Sequence, residues 1–172
     1  MSENENLKKT AIHEAGHAVV ALRLDHNFGA ATIIADHDLG SWGSTEFEQL
    51  SDSYTEETAS EHVMILSAGY AALVADGWAI DVAANGAEDD FQRAEATING
   101  FGLKPLGCWL EETVEYLSTE ENKRAVKFVA EKLLQHRELD NEFIRVLVEL
   151  ADGSCTEEDI ENWLVSRRSL PK

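Results

Sequence analysis

The chain has 172 residues, is 44% hydrophobic, and carries 14 basic against 33 acidic side chains, a formal charge of −19. That length and apolar content suit one domain spanning residues 1–172, with a sizeable core. So strong a negative charge repels phosphate backbones and anionic lipid heads, which argues against nucleic acid and membrane surfaces as partners.

The first predicted helix begins between Glu5 and Lys8 and runs to about Leu24. Ala11, Ala15, Ala18 and Leu22 form one stripe with Ile12 and Val19 beside it, the spacing of a core-facing helix. Within it stands His13-Glu14-Ala15-Gly16-His17, the HExxH arrangement of zinc hydrolases. Residues four apart share a helix face, so His13 and His17 are placed to bind one metal ion, with Glu14 directed to where an activated water would sit. Gly16 costs about 1 kcal/mol relative to alanine inside a helix, which predicts a close approach by another element.

Residues 25–29 read as a turn and 30–34 as a short strand; 36–45 is a turn leading to a second, edge-like strand. This is the one β region the sequence predicts. A polar loop over 51–57 ends in a helix from about Thr58 to Ala75, with Thr55 or Thr58 as its cap. The apolar run from Val63 to Ala75 is too short for the ~20 residues a membrane span needs, so it is expected to be a buried core helix. Trp78 to Asn85 reads as an irregular connection, followed by a helix that starts within 86–94, points Phe91, Ala94 and Ile98 inward, and stops at 99–102.

Leu103 to Leu110, containing Pro105 and Gly107, reads as a second connection. Ser118-Thr119-Glu120-Glu121 has capping-box spacing ahead of a further helix, and Asp140 and Thr156 are caps for two more. Phe143, Ile144, Leu147, Val148, Ile160, Trp163 and Leu164 fit a bundle beneath the first helix. The fold class is therefore mainly α, with one small β-hairpin or short sheet.

Residues 11–21 resemble the zinc-binding helix of the FtsH-type proteases, and Gly86-Ala87-Glu88-Asp89-Asp90-Phe91-Gln92-Arg93-Ala94 resembles that family's Gly-Ala-x-x-Asp segment. Between them, Ala68-Gly69-Tyr70-Ala71-Ala72 is similar to its small-residue helix, and the stretch from Leu133 to Ile160 to its closing helices. The resemblance implies a zinc-peptidase helical bundle of FtsH-peptidase type, with Zn2+ held by His13, His17 and Asp90. Where the family has acids after its small-residue helix this chain has Leu73-Val74, which leaves the carboxylate ligand to Asp90. Asp89 or Asp81 is a candidate acceptor for a histidine N–H.

Two imidazoles and one carboxylate leave a position open for water, whose pKa zinc lowers toward ~7, with Glu14 as general base and then as acid to the leaving amine. The expected function is a zinc metallopeptidase acting on unfolded or flexible polypeptides. The alternatives are an inactive zinc-binding regulatory or adaptor domain and a metal-free helical interaction domain. The 172 residues contain no Walker-type loop or membrane anchor, so folded substrates are expected to need a separate ATPase; self-association is left open.

Several residues are read more plainly. His26, His37 and His62 are expected to be solvated, and Leu39-Gly40-Ser41-Trp42 is either an ordinary hairpin or an edge that pairs with an extended peptide. Cys108 and Cys155, with no CxxC, are expected to be small core fillers. The N-terminal residues lack the basic and apolar regions of a signal peptide, which predicts a cytoplasmic protein.

Overall fold

The computed structural model describes residues 1–35, 43–47 and 55–168. Residues 36–42 of the predicted 36–45 turn and the first part of the 51–57 loop lie outside the described residues, as do the Leu39–Trp42 edge and His37; the last two residues of that turn, Ser44 and Thr45, are already strand.

Helix α1, Glu3–Arg23, starts two residues before the expected range. The Ser2 hydroxyl caps it by accepting from the Glu5 N–H, and the Glu5 carboxylate accepts from the Ser2 N–H, so two donors at the helix start are satisfied reciprocally. The stripe understates its burial: Ala11, Ile12, Glu14 to Ala21 are all buried, and α1 is the central rod of the molecule rather than an amphipathic surface helix. Helix α2, Glu56–Ala75, is capped by Thr55, whose hydroxyl accepts from the Thr58 backbone while Thr58 reciprocates.

Helices α1 and α2 meet through small residues. A Cβ built on Gly16 would stand 2.5 Å from the Ala68 carbonyl oxygen and 2.6 Å from the Ala72 Cβ. The close approach inferred from Gly16 is therefore α2 itself. α2 also carries α4, Glu88–Phe101, along its length, with Tyr70 and Phe91 in edge contact at 5.6 Å. Ala94 and Ile98 of α4 are buried, and Gly102 ends the helix in the left-handed conformation at φ 66°.

Both connections expected in the middle of the chain contain helix. Residues Ile80–Ala84 make a single turn, α3, and Leu106–Leu117 form α5. Pro105 and Gly107 read as punctuation, yet Pro105 is the N-cap of α5, where its missing N–H costs the helix nothing, and Gly107 lies in the first turn. The cap of α6, Glu120–His136, is Thr119, which accepts from the Asn122 backbone, in place of the expected Ser118 box. Asp140 caps α7, Asn141–Ala151, and Thr156 with Asp159 caps α8, Glu157–Arg168.

The sheet is larger than predicted. Strands β1, Phe28–Thr32, and β2, Ser44–Phe47, are joined by β3, Glu138–Asp140, in the order β2-β1-β3 with both pairings antiparallel. β3 has only three residues and so no legible alternation. It pairs because Arg137, at φ 72°, ends α6 and turns the chain along β1, placing Leu139 opposite Ala31 in the core.

α1 packs against α2 and α6, and α7 lies beneath it, the bundle anticipated for the last third of the chain. Its C-terminal end is tied down by Arg23, which holds Asp152 through two bonds of 2.6 Å and Asn122 at 3.2 Å. The hydrogen bonds to that guanidinium hold the Asp152 carboxyl below the usual carboxylate range. Among the described residues no helix is long and apolar enough to cross a membrane.

Candidate metal centre

Two helices deliver the site. His13 and His17 lie one turn apart on α1, their rings in edge contact with centroids 4.7 Å apart, and Asp90 enters from the first turn of α4. His13 Nε2 to Asp90 Oδ2 is 3.1 Å, His17 Nε2 to Asp90 Oδ2 is 3.2 Å, and the two Nε2 atoms are 3.1 Å apart. Side-chain exposures of 12%, 5% and 16% for His13, His17 and Asp90 leave the trio mostly out of water. Among the described residues this is the group of three such side chains whose ligand atoms close on one point.

The chemistry of those atoms fits a metal ion. His17 Nδ1 donates to the Ile65 carbonyl at 2.7 Å, so Nε2 presents its lone pair to the same point as the Asp90 carboxylate. Lone pairs brought this close repel one another unless a metal ion or a proton is shared among them. With tetrahedral bonds of about 2.0–2.1 Å, neighbouring zinc ligands stand ~3.3 Å apart, close to all three observed separations. A proton is the other cation that satisfies the cluster. Burial opposes charge on His17, but the Asp90 carboxylate, then Glu14 and the Ile65 carbonyl, outweigh it and raise the ring to about 9. Burial likewise works against ionised Asp90, and His17 with the histidine hydrogen bonds overcomes it, holding the carboxyl well below its usual range.

The surroundings shape the trio. A Cβ on Gly69 would lie 2.4 Å from Cε1 and 2.6 Å from both nitrogens of His13, so the ring rests directly on the α2 backbone. Lys9, one turn before His13, donates to the Asn85 carbonyl and joins α1 to the turn that precedes α4. Glu14 is 5% exposed, and its carboxyl is raised by burial against the lowering influence of His13, His17 and the Thr45 hydroxyl.

The structure thus brings together His13, His17 and Asp90, with Glu14 on the intervening turn, and leaves Asp81 and Asp89 exposed. The acceptor for the His17 N–H is the Ile65 carbonyl, in place of either acid. Sequence reading missed Ile65 and Thr45: a backbone carbonyl carries no residue signature, and one threonine in a turn-like stretch looks like any other. No family model matches the chain, and no curated protein matches it.

Outside the centre, the remaining expectations are corrected in detail. Cys108 is exposed rather than a core filler, whereas Cys155 is half-buried against the core and its thiol, which burial pushes up, points to the Val146 carbonyl at 3.6 Å. His26 is half-buried and paired with Glu61 at 2.9 Å, rather than simply solvated. His62 is also half-buried; burial, reinforced by Arg93 and His26, lowers it to about 4.

A pH dependence follows for His62. Its folded pKa lies below the ordinary 6.5, so between those values the unfolded chain binds more protons and the fold loses stability as pH falls from about 6.5 toward 4. Urea unfolding of wild type and His62→Gln across that range is expected to show a smaller acid-side loss in the variant. Parallel pH profiles would remove His62 as the cause.

Proposed function

We propose that this chain is a zinc metallopeptidase domain of FtsH type that hydrolyses peptide bonds of unfolded or flexible polypeptides. The reading is carried by one observation: His13 Nε2, His17 Nε2 and Asp90 Oδ2 converge at 3.1–3.2 Å beside the buried Glu14 carboxylate. His13, His17 and Asp90 would hold the zinc. Bound there, zinc supplies Lewis acidity that polarises a carbonyl and acidifies water.

The chain's own residues do the rest. The His17 Nδ1–H bond to Ile65 fixes that ring's tautomer and direction, and Gly69 sets the resting position of His13. Glu14 takes a proton from the attacking water onto its carboxylate. It then gives that proton to the amine as the peptide bond breaks, a reversal suited to a carboxyl raised by burial. Work on folded substrates would call for an ATPase activity, and the setting proposed is cytoplasmic.

Metal analysis and cleavage together test the reading. Purified protein dialysed against zinc is expected to retain about one zinc per chain; His17→Ala should abolish retention and Asp90→Ala weaken it. An unfolded casein-like substrate should be cut by the zinc-loaded protein and spared after chelation. Full zinc loading of the His17→Ala, Asp90→Ala double variant would sink the site. Zinc retention without cleavage of any unfolded substrate would favour a zinc-binding regulatory module.

A further inference from the structure

Strand β2 and the residue just before it reach the Glu14 carboxylate, through Thr45 and Gly43. Thr45 Oγ1 donates to Glu14 Oε2 at 2.9 Å, a tighter approach than the 3.4 Å from the same hydroxyl to the Glu14 backbone carbonyl. Gly43 lies against the other oxygen: a Cβ there would stand 3.0 Å from Glu14 Oε1, as well as 2.7 Å from Thr10 Cγ2 and 2.8 Å from the Thr32 carbonyl oxygen. Thr45 is itself held in register opposite Ala31 of β1, and Ser44 opposite Thr32, so the hydroxyl comes from a paired strand.

We infer that Gly43 and Thr45 form a seat for the Glu14 carboxylate, in which Thr45 is a positioning residue that holds Oε2 and sets the plane of the base. The inference rests on the peptidase reading above. The last torsion of a glutamate is broad, so an unanchored carboxylate samples many orientations. One directed hydrogen bond to Oε2, with close backbone beside Oε1, selects among them. Proton transfer from water and then to the leaving amine needs that alignment, because small errors in the placement of a catalytic group reduce rate steeply. Thr45 acts through Glu14 and touches neither water nor substrate in this scheme. The absence of a side chain at position 43 is part of the same device, since any Cβ would push the strand away from Glu14 and Thr10.

Thr45→Val removes the hydroxyl at nearly constant shape, and Thr45→Ser restores it. On an unfolded casein-like substrate with zinc, Thr45→Val is expected to lower kcat roughly tenfold with KM and zinc content unchanged, and Thr45→Ser to recover most of the loss. A contact readout independent of activity comes from urea unfolding of the metal-free protein, comparing wild type, Thr45→Val, Glu14→Ala and the double variant. The midpoint shifts should be non-additive. Wild-type kcat in Thr45→Val, or no recovery in Thr45→Ser, overturns the positioning role while leaving the peptidase reading intact. A wild type that cuts no unfolded substrate sinks the peptidase reading, whereas additive midpoints sink the seat whatever the activity.

Discussion

Glu14→Gln is expected to keep its zinc and to lose roughly 10²-fold or more of its turnover on an unfolded casein-like substrate. Glutamine has nearly the shape of glutamate, and its amide oxygen can still accept from Thr45, so the buried position on α1 stays filled. What disappears is a group able to take a proton from water and hand it to the leaving amine. The three atoms that would hold zinc in this proposal belong to His13, His17 and Asp90, so zinc stoichiometry should not move. Equal cleavage by the variant and wild type would show that the activity does not belong to this site.

The second large effect comes from adding one methyl group at either of two glycines, with different consequences. Gly16→Ala places a Cβ 2.5 Å from the Ala68 carbonyl oxygen and 2.6 Å from the Ala72 Cβ, so α1 and α2 must separate. Overpacking of this kind costs up to ~3 kcal/mol, and helix propensity returns about 1 kcal/mol, for a net loss of roughly 2 kcal/mol. In a domain of this size that corresponds to a fall of about 4–8 °C in Tm, measured in chelator so that metal loss does not contribute. Gly69→Ala meets the His13 ring at 2.4 Å, and a side chain gives way more readily than backbone. Its main effect should therefore be on zinc affinity, lowered roughly 10–100-fold by displacement of one ligand. Zinc titrations and melting curves on both variants check the contrast; unchanged Tm in Gly16→Ala would contradict the close helix packing.

The pairing of His13 with His17, and the place of Glu14 between them, was legible in the sequence because the helical period puts residues four apart on one face whatever the helix later packs against. Gly16 announced a close neighbour for a similarly local reason, and Asp140 and Thr156 announced helix starts because a cap bonds within three residues of itself, whereas the choice between Thr55 and Thr58 at the start of α2 was left to the structure. The apolar run from Val63 to Ala75 marked the core helix onto which α1 packs. Asp90 was reached only through a resemblance, since spacing says nothing about a carboxylate 73 residues from His17.

Tertiary structure alone decided the rest. It brought α4 across α2 so that Asp90 met both imidazoles, laid the Ile65 carbonyl under His17, and set Thr45 against Glu14. It also buried α1 on every side from Glu14 to Ala21, although its apolar stripe reads as one face, because α2, α6, α7 and the sheet all use it as their common support. β3 exists only as a partner for β1: three residues are too few for periodicity, and pairing across more than a hundred residues of chain supplies what local propensity does not. Sequence periodicity determines which residues share a face; the choice of what that face meets is made by packing, and in this chain packing completes the site.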